Sequence, residues 1–219
     1  MPVRHAPHVV SPASVREHTS RDEKKESHLP PFLPSQIRAK RVLAVRHAPT
    51  ASPGLCVGNG EVPCAISEQD AAGRILASVA EYSFTCVWTS PVERCRGPAA
   101  LIAQSLRVPL RIDDRLNEIS LGEWQLRSWA SIEASEPERY QSWLESWLTR
   151  APPGGELPGE LLRRVGEWWN DLPTGAHLLV AHAGVIRALR VLVDGKSWIK
   201  AMTVTVPHLQ GESFEQLID

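Results

Sequence analysis

The chain lacks the sequence features of membrane-spanning proteins and of proteins that are stabilised by disulfides or by zinc. Its 219 residues contain four cysteines, and none of them belongs to a Cys-x-x-Cys pair, so zinc-ribbon and thioredoxin-like motifs are excluded. No apolar stretch approaches the length of a membrane span, and no signal-peptide hydrophobic region follows the first residues. We therefore expect a soluble cytoplasmic protein with reduced, packed thiols at Cys56, Cys64, Cys86 and Cys95.

An excess of charge of either sign is also missing. Lys and Arg number 24 against 25 Asp and Glu, giving a net charge of −1. Nothing therefore marks the whole surface for nucleic acid or for a membrane. The chain is 42% hydrophobic and 22% charged, which is ordinary for a globular protein with one sizeable core.

Residues 1–39 have little periodic apolar sequence, and we predict a flexible N-terminal extension there, followed by one domain over residues 40–219. The extension contains His5, His8, His18 and His28, whose irregular spacing favours a solvated tail over a metal site. It also contains Arg-His-Ala-Pro at residues 4–7, which recurs at residues 46–49. Because no strand precedes the first copy, we interpret it as a coincidence.

Beyond the extension, short apolar runs alternate with amphipathic segments. Strands are predicted near residues 41–45, 84–88, 110–112, 178–181 and 203–206, and helices near residues 67–81, 91–106, 126–148, 161–172 and 184–193. Ser90 and Glu93 predict a capping box for the second helix, with Pro91 at its first position. The alternation predicts an α/β fold, namely a three-layer α/β/α sandwich with a mostly parallel central sheet.

Basic side chains follow three of these predicted strands. Arg46 and His47 follow the first strand, Arg94 follows the second, and His182 follows the run at residues 178–181. Ligands of α/β proteins bind beyond the carboxyl ends of strands. Arginine can hold phosphate oxygens in pairs and imidazole can be a nucleophile, so this set suits a tetrahedral dianion. Metal binding is the rival use of paired histidines, but the neighbouring arginines would repel a cation.

Tryptophans are concentrated in the predicted helical insertion at residues 126–148. Trp143 and Trp147 are four residues apart and therefore share one helix face. A stripe of this kind usually belongs to a core or forms a pocket lid. If the pair is exposed, it is a candidate interface of a homodimer.

Five short motifs at these positions resemble those of the histidine phosphatase superfamily, which has the phosphoglycerate mutase-like fold. In chain order they are Arg-His-Ala-Pro-Thr at residues 46–50, Ser-Pro-Val-Glu-Arg at 90–94, Leu-Asn-Glu and Leu-Gly-Glu-Trp within 116–124, Pro-Gly-Gly-Glu at 153–156, and Val-Ala-His-Ala-Gly-Val-Ile-Arg at 180–187. The resemblance covers about residues 41–190. It is closest to the α-ribazole phosphatase-like branch.

The resemblance implies a phosphomonoesterase whose catalytic domain spans residues 40–219. His47 would attack phosphorus and form a phosphohistidine, while Glu118 would protonate the leaving oxygen and later activate water. The phosphoryl oxygens would be held by Arg46, Arg94 and His182, and the substrate by Thr50, Gly58, Asn59 and Ala183. No cofactor or metal is required. The partner would be a small phosphorylated substrate, with α-ribazole 5′-phosphate as one candidate.

The sequence departs from the family pattern at several positions. Ala48 replaces a glycine of the first motif, Pro53 stands where many members have an asparagine, and Gln125 stands where Glu is usual. Val57, Asn59 and Glu61 also alter the loop that is typical of the α-ribazole branch. These departures leave the proposed catalytic residues intact and put the identity of the substrate in doubt.

Two other functions remain open from the sequence. A phosphoglycerate mutase should need a larger insertion to retain its bisphosphate intermediate than the roughly 20 helical residues predicted here. A non-catalytic domain that binds phosphorylated ligands is the third hypothesis. Binding alone does not need a nucleophile such as His47 or an acid such as Glu118.

Overall fold

The computed structural model describes residues 38–218, so the histidines of the predicted extension lie outside the described residues. In this range a five-stranded sheet has the order β3-β2-β4-β1-β5. Its strands are β1 (Ala39–Arg46), β2 (Cys86–Thr89), β3 (Leu110–Ile112), β4 (Gly175–Ala181) and β5 (Gly211–Leu217). All neighbouring strands are parallel except β5, which runs antiparallel to β1.

Helices cover both faces of the sheet, which confirms the predicted α/β fold with a mostly parallel sheet. The helices are α1 (Glu68–Ser78), α2 (Glu93–Leu106), α3 (Trp129–Ser135), α4 (Pro137–Ser146), α5 (Pro158–Asp171), α6 (Ala183–Leu192) and α7 (Trp198–Thr203). Residues of α1 and α2 pack on one face and residues of α5 and α6 on the other. No helix in residues 38–218 is long and apolar enough to cross a membrane.

Strand β1 explains why the first apolar run has no polar alternation. Val42 and Ala44 belong to the core beneath α5 and α6, whereas Leu43 and Val45 belong to the core beneath α1 and α2. All four residues are buried, because successive side chains of a strand point to opposite faces and both faces are covered here.

One strand predicted from the sequence was wrong. The strand predicted at residues 203–206 is absent, because α7 ends at Thr203 and an irregular segment follows. The last strand is instead β5. Its buried Phe214 is flanked in the sequence by polar residues, so the apolar pattern that would predict a strand is weak there. The helical insertion predicted at 126–148 consists of two helices, α3 and α4, since Pro137 begins a new helix.

The tryptophans of the insertion form a third apolar cluster beside the sandwich. Trp124 and Ile132 are fully buried in it. The Trp143 ring stacks on Trp129 at 5.7 Å and meets Trp124 edge-on at 5.5 Å. Trp143, one of the two residues predicted as a candidate dimer interface, therefore packs against its own chain.

Candidate active site

The carboxyl ends of β1 and β4 bring His47 and His182 together. Arg46 pairs with Ala181 in the parallel register, and the His47 N–H donates to the carbonyl of Ala181 at 3.0 Å. The two imidazole centroids are 5.2 Å apart. Strand β2 ends beside β4, with Thr89 opposite Val180. The three strand ends that the sequence singled out therefore meet at one edge of the sheet.

The His47 imidazole is buried and held in one tautomer. Nδ1 lies 2.6 Å from the carbonyl oxygen of Ala48, and a carbonyl oxygen can only accept, so Nδ1 carries the proton. Nε2 then has a free lone pair. Burial, followed by the charge of Arg94, lowers the pKa of His47 to about 3. At neutral pH the ring is therefore uncharged and can act as a nucleophile.

Arg94 links His182 to the loop before α1. Its Nη1 donates to the carbonyl of Gly60 at 2.6 Å, and its Nη2 donates to that of Gly58 at 2.7 Å. Nη2 also lies 3.3 Å from Nδ1 of His182, so the proton of His182 is on Nε2, which donates to Ser90 Oγ at 2.8 Å. Burial and the charge of Arg94 lower the pKa of His182 well below its usual value.

The predicted capping box at α2 was wrong. The hydroxyl of Ser90 bonds His182 and not the helix. The helix begins at Glu93 after Val92, which makes no side-chain cap. The exposed N–H of Glu93 instead donates to the carboxylate of Glu61, at 3.1 and 3.3 Å. Ser90 is therefore a site residue that the sequence misassigned, because its partner lies 92 residues away in the chain.

The two arginines have unused hydrogen-bond donors. Arg46 donates from Nη1 to the carbonyl of Val206 at 2.8 Å. The Nε atoms of Arg46 and Arg94 are both buried without an acceptor in residues 38–218. Because buried donors are normally paired, an oxyanion is the ligand that this pair suits.

Glu118 is placed at the N-terminus of α6. Its carboxylate accepts the N–H of Ile119 at 2.9 Å and the N–H of Gly184 at 3.1 Å. A side chain at Gly184 would overlap Oε1 of Glu118, so only glycine allows this approach. Arg164 donates to the carbonyl of Glu118 at 3.1 Å and is paired with Glu156 at 2.7 Å. No motif of the sequence indicated that Arg164 supports this loop.

A cavity of about 220 Å³ lies among these groups, and we call it the phosphate cavity. It is lined by Arg46, His47, Thr50, Ser52, Pro53, Gly54, Leu55, Val57, Gly58, Arg94, Glu118 and His208. Two of the predicted substrate-binding residues, Thr50 and Gly58, are therefore at the cavity. Asn59 does not line it, and His182 is fully buried behind it.

A second cavity, of about 330 Å³, shares Arg46, Gly58 and Glu118 with the first, and we call it the tryptophan cavity. Its wall contains four indoles, those of Trp129, Trp143, Trp147 and Trp198. Ala183 also lines it, as does Arg187, whose Nε is buried without a partner among the described residues. Trp143 and Trp147 therefore line a cavity next to the proposed site.

Four thiols are free, and Cys56, Cys86 and Cys95 are buried while Cys64 is partly exposed. Burial raises the pKa of Cys56 and of Cys95 to about 12, so these thiols stay protonated. In the described part of the chain, no group of three or more His, Cys, Asp or Glu side chains is arranged to hold a metal ion.

We expect the protein to lose stability in acid partly through His47. The folded pKa is about 3 against an ordinary value of 6.5, so the unfolded chain binds the proton first as the pH falls. His47 should therefore remove about 1.6 kcal/mol of stability between pH 6.5 and pH 5. Urea unfolding at both pH values should show a smaller loss for His47→Gln than for the wild type. Equal losses would contradict the assignment.

A three-layer α/β fold with imidazoles and arginines at the carboxyl edge of its sheet is typical of enzymes that act on phosphate groups. The family model of the histidine phosphatase superfamily (branch 1) matches residues 42–217. The chain belongs to this superfamily, as its motifs predicted.

Several relatives of the chain are named phosphatases, and the chain is accordingly a hydrolase of the phosphatase class. Adenosylcobalamin/alpha-ribazole phosphatase of Escherichia coli (strain K12) is 27% identical over 155 residues, covering 68% of this chain and 76% of that protein. Glucosyl-3-phosphoglycerate phosphatase of Mycobacterium tuberculosis (strain H37Rv) is 29% identical over 167 residues, covering 70% and 74%. The crystal structure of alpha-ribazole phosphatase from Shigella flexneri has a TM-score of 0.71 at 23% identity, covering 81% of this chain and 94% of that chain.

Proposed function

We propose that this protein hydrolyses a small phosphorylated metabolite through a phosphohistidine at His47. One observation carries the proposal: an uncharged imidazole with a free Nε2 shares a cavity with Arg46 and Arg94, whose buried Nε atoms lack acceptors. A phosphoryl group in that cavity would meet a nucleophile and two permanent cations. Glu118 lines the same cavity and supplies a carboxyl group for proton transfer.

In the first step, the lone pair on Nε2 of His47 attacks phosphorus and the bond to the leaving oxygen breaks. The carboxyl group of Glu118 gives its proton to that oxygen, so the leaving group departs as a neutral alcohol. Positive charge develops on the imidazole, and the Nδ1–H bond to the carbonyl of Ala48 stabilises it. Arg46 and Arg94 offset the charge on the phosphoryl oxygens.

In the second step, water replaces the leaving group. The carboxylate of Glu118 takes a proton from the water as its oxygen attacks phosphorus, and the bond from phosphorus to Nε2 of His47 breaks. The products are inorganic phosphate, neutral imidazole and a protonated Glu118, which restores the starting enzyme. Transfer of the phosphoryl group to water gives hydrolysis, whereas a mutase would transfer it to a second hydroxyl.

For the substrate we infer a phosphomonoester with a flat aromatic base, and α-ribazole 5′-phosphate is the candidate. The tryptophan cavity adjoins the phosphate cavity and offers Trp129, Trp143 and Trp147 as stacking surfaces. The Escherichia coli relative is named adenosylcobalamin/alpha-ribazole phosphatase. The reaction would take place in the cytoplasm, with which the free thiols agree.

A second candidate substrate is glucosyl-3-phosphoglycerate, named for the Mycobacterium tuberculosis relative. The observation that favours it is Arg187, a guanidinium on the wall of the tryptophan cavity with a buried, unpartnered Nε. The glycerate part carries a carboxylate, which arginine binds well. Binding of α-ribazole 5′-phosphate would therefore depend on the tryptophans of this cavity, and binding of glucosyl-3-phosphoglycerate on Arg187.

Hydrolysis of both phosphomonoesters by the wild type, by Trp147→Ala and by Arg187→Gln should separate the candidates. We expect kcat/KM to be higher for α-ribazole 5′-phosphate, and Trp147→Ala to lower it about 5- to 10-fold, the loss of one aromatic contact. Hydrolysis of phosphoserine, which cannot stack, is the control and should not respond to Trp147→Ala. Preference for the glucosyl compound, with loss confined to Arg187→Gln, would overturn the aromatic assignment.

A further inference from the structure

His208 lines the phosphate cavity, and its segment, residues 204–209, is joined to the end of β1 by three hydrogen bonds. Arg46 Nη1 donates to the carbonyl of Val206 at 2.8 Å, and the N–H of Leu209 donates to the carbonyl of Arg46 at 2.9 Å. Between them, Nδ1 of His208 lies 2.6 Å from the carbonyl oxygen of His47. The segment therefore contacts both residues of the Arg-His pair.

The segment is also fixed on its other side. The guanidinium of Arg190 is buried, and it donates to the carbonyls of Val204 at 2.8 Å and Thr205 at 3.1 Å. Arg190 is in turn paired with Glu212 at 2.7 Å. Leu209 has a φ of +60°, a conformation that costs energy for a non-glycine residue and persists when its surroundings impose it. The position of His208 is therefore set by the fold.

The His208 ring lines the phosphate cavity and lies 5.5 Å from the His47 ring, centroid to centroid. Its Nδ1 must carry a proton, because the carbonyl of His47 can only accept. Nε2 makes no hydrogen bond to any residue in the described range. We propose that His208 is a phosphate-binding residue, whose Nε2 shares a proton with a phosphoryl oxygen while its Nδ1–H fixes the backbone of His47.

The charges around the ring decide how that proton is shared. Arg46 and His47 face His208 from β1, and Arg94 and Glu118 line the same cavity. Burial and then the charge of Arg46 lower the pKa of His208, so at neutral pH its Nε2 carries no proton before phosphate binds. A bound phosphate dianion places negative charge beside the ring and so favours protonation of Nε2. One proton is then taken up and shared between Nε2 and the phosphoryl oxygen.

His208 would also supply a hydrogen bond that residue 53 cannot donate. Pro53 lines the same cavity, but proline has no N–H and no polar side-chain atom. An imidazole that takes up a proton on binding can supply a hydrogen bond to a phosphoryl oxygen from a different segment. This inference rests on the proposed function, since it assigns a further residue to the same reaction.

Two substitutions distinguish the roles of the two ring nitrogens of His208. In His208→Asn the amide nitrogen can replace Nδ1 and keep the bond to His47, but nothing replaces Nε2. In His208→Gln the longer side chain can place an amide N–H near Nε2, but the bond to His47 is lost. Thermal unfolding of both variants checks that they fold.

We expect His208→Asn to raise KM and the inhibition constants of orthovanadate and inorganic phosphate about 10- to 100-fold, the loss of one hydrogen bond to a charged group. Its kcat should change much less. His208→Gln should bind phosphate better than His208→Asn but have the lower kcat, because the His47 backbone is released. Unchanged KM and inhibition constants in a folded His208→Asn would overturn the proposal and leave His208 as a positioning residue.

Calorimetry with inorganic phosphate tests the proton directly and does not need turnover. In buffers of different ionisation enthalpy, the wild type should take up more protons on binding than His208→Asn. Equal uptake would contradict proton sharing at Nε2. Proton uptake that depends on His208 in a wild type that hydrolyses no phosphomonoester would support this inference and reject the proposed phosphatase function.

Discussion

His47→Gln is expected to lower kcat by four or more orders of magnitude, because glutamine keeps a polar side chain of similar size but cannot form the phosphohistidine. The wild type should form a phosphoenzyme that is labile in acid and stable in alkali. Incubation with a radiolabelled phosphomonoester, followed by an alkaline quench, measures the bound label. His47→Gln should carry none. Its affinity for inorganic phosphate should persist, since Arg46 and Arg94 remain.

The chain supplies a matched control for this experiment. His5 has the same local sequence as His47, within Arg-His-Ala-Pro at residues 4–7. We expect His5→Gln to retain full activity and full labelling, because no predicted strand precedes it. Label that survives in His47→Gln would move the nucleophile elsewhere. A wild type that binds phosphate but never acquires label would favour a phospho-ligand-binding domain.

Glu118→Gln is expected to lower kcat/KM about 100- to 10,000-fold for alkyl phosphomonoesters, whose leaving oxygen needs a proton. The rate of the first step should fall much less for p-nitrophenyl phosphate, since its leaving group departs as a stable anion. The second step still needs a base for water. Rapid-quench measurement with p-nitrophenyl phosphate should therefore show a burst of product and an accumulated phosphoenzyme.

Two further variants test whether this loss belongs to the carboxylate of Glu118. Gly184→Ala places a methyl group where Oε1 of Glu118 lies, so it should displace the carboxylate and reproduce the dependence on the leaving group. Glu123→Gln changes an exposed carboxylate in the same loop and should retain activity. Equal losses with alkyl and p-nitrophenyl esters in Glu118→Gln would contradict proton transfer by Glu118.

Local patterns in the amino-acid sequence were enough to predict the layers of the fold and the edge of the sheet where the site would be. The run ending at Arg46 and the run ending at His182 are short, apolar and followed by turn residues, which is a local signal of buried parallel strands. Since parallel strands share one carboxyl edge, residues that follow them must lie near one another. The sequence therefore predicted that His47, Arg94 and His182 lie along one edge, and the strand order β2-β4-β1 makes them neighbours.

The tertiary structure decided what each of these side chains contacts. Ser90 forms a local capping motif in the sequence, but its hydroxyl bonds His182 across 92 residues. His208 has no strand before it, and its bond to His47 spans 161 residues. Local patterns report only the neighbours along the chain, whereas hydrogen-bond partners and cavity walls depend on which segments the folded core brings together. The tryptophan cavity beside Glu118 arises in the same way, because Trp198 of the distant helix α7 lines it together with Trp129 of α3 and Trp143 of α4.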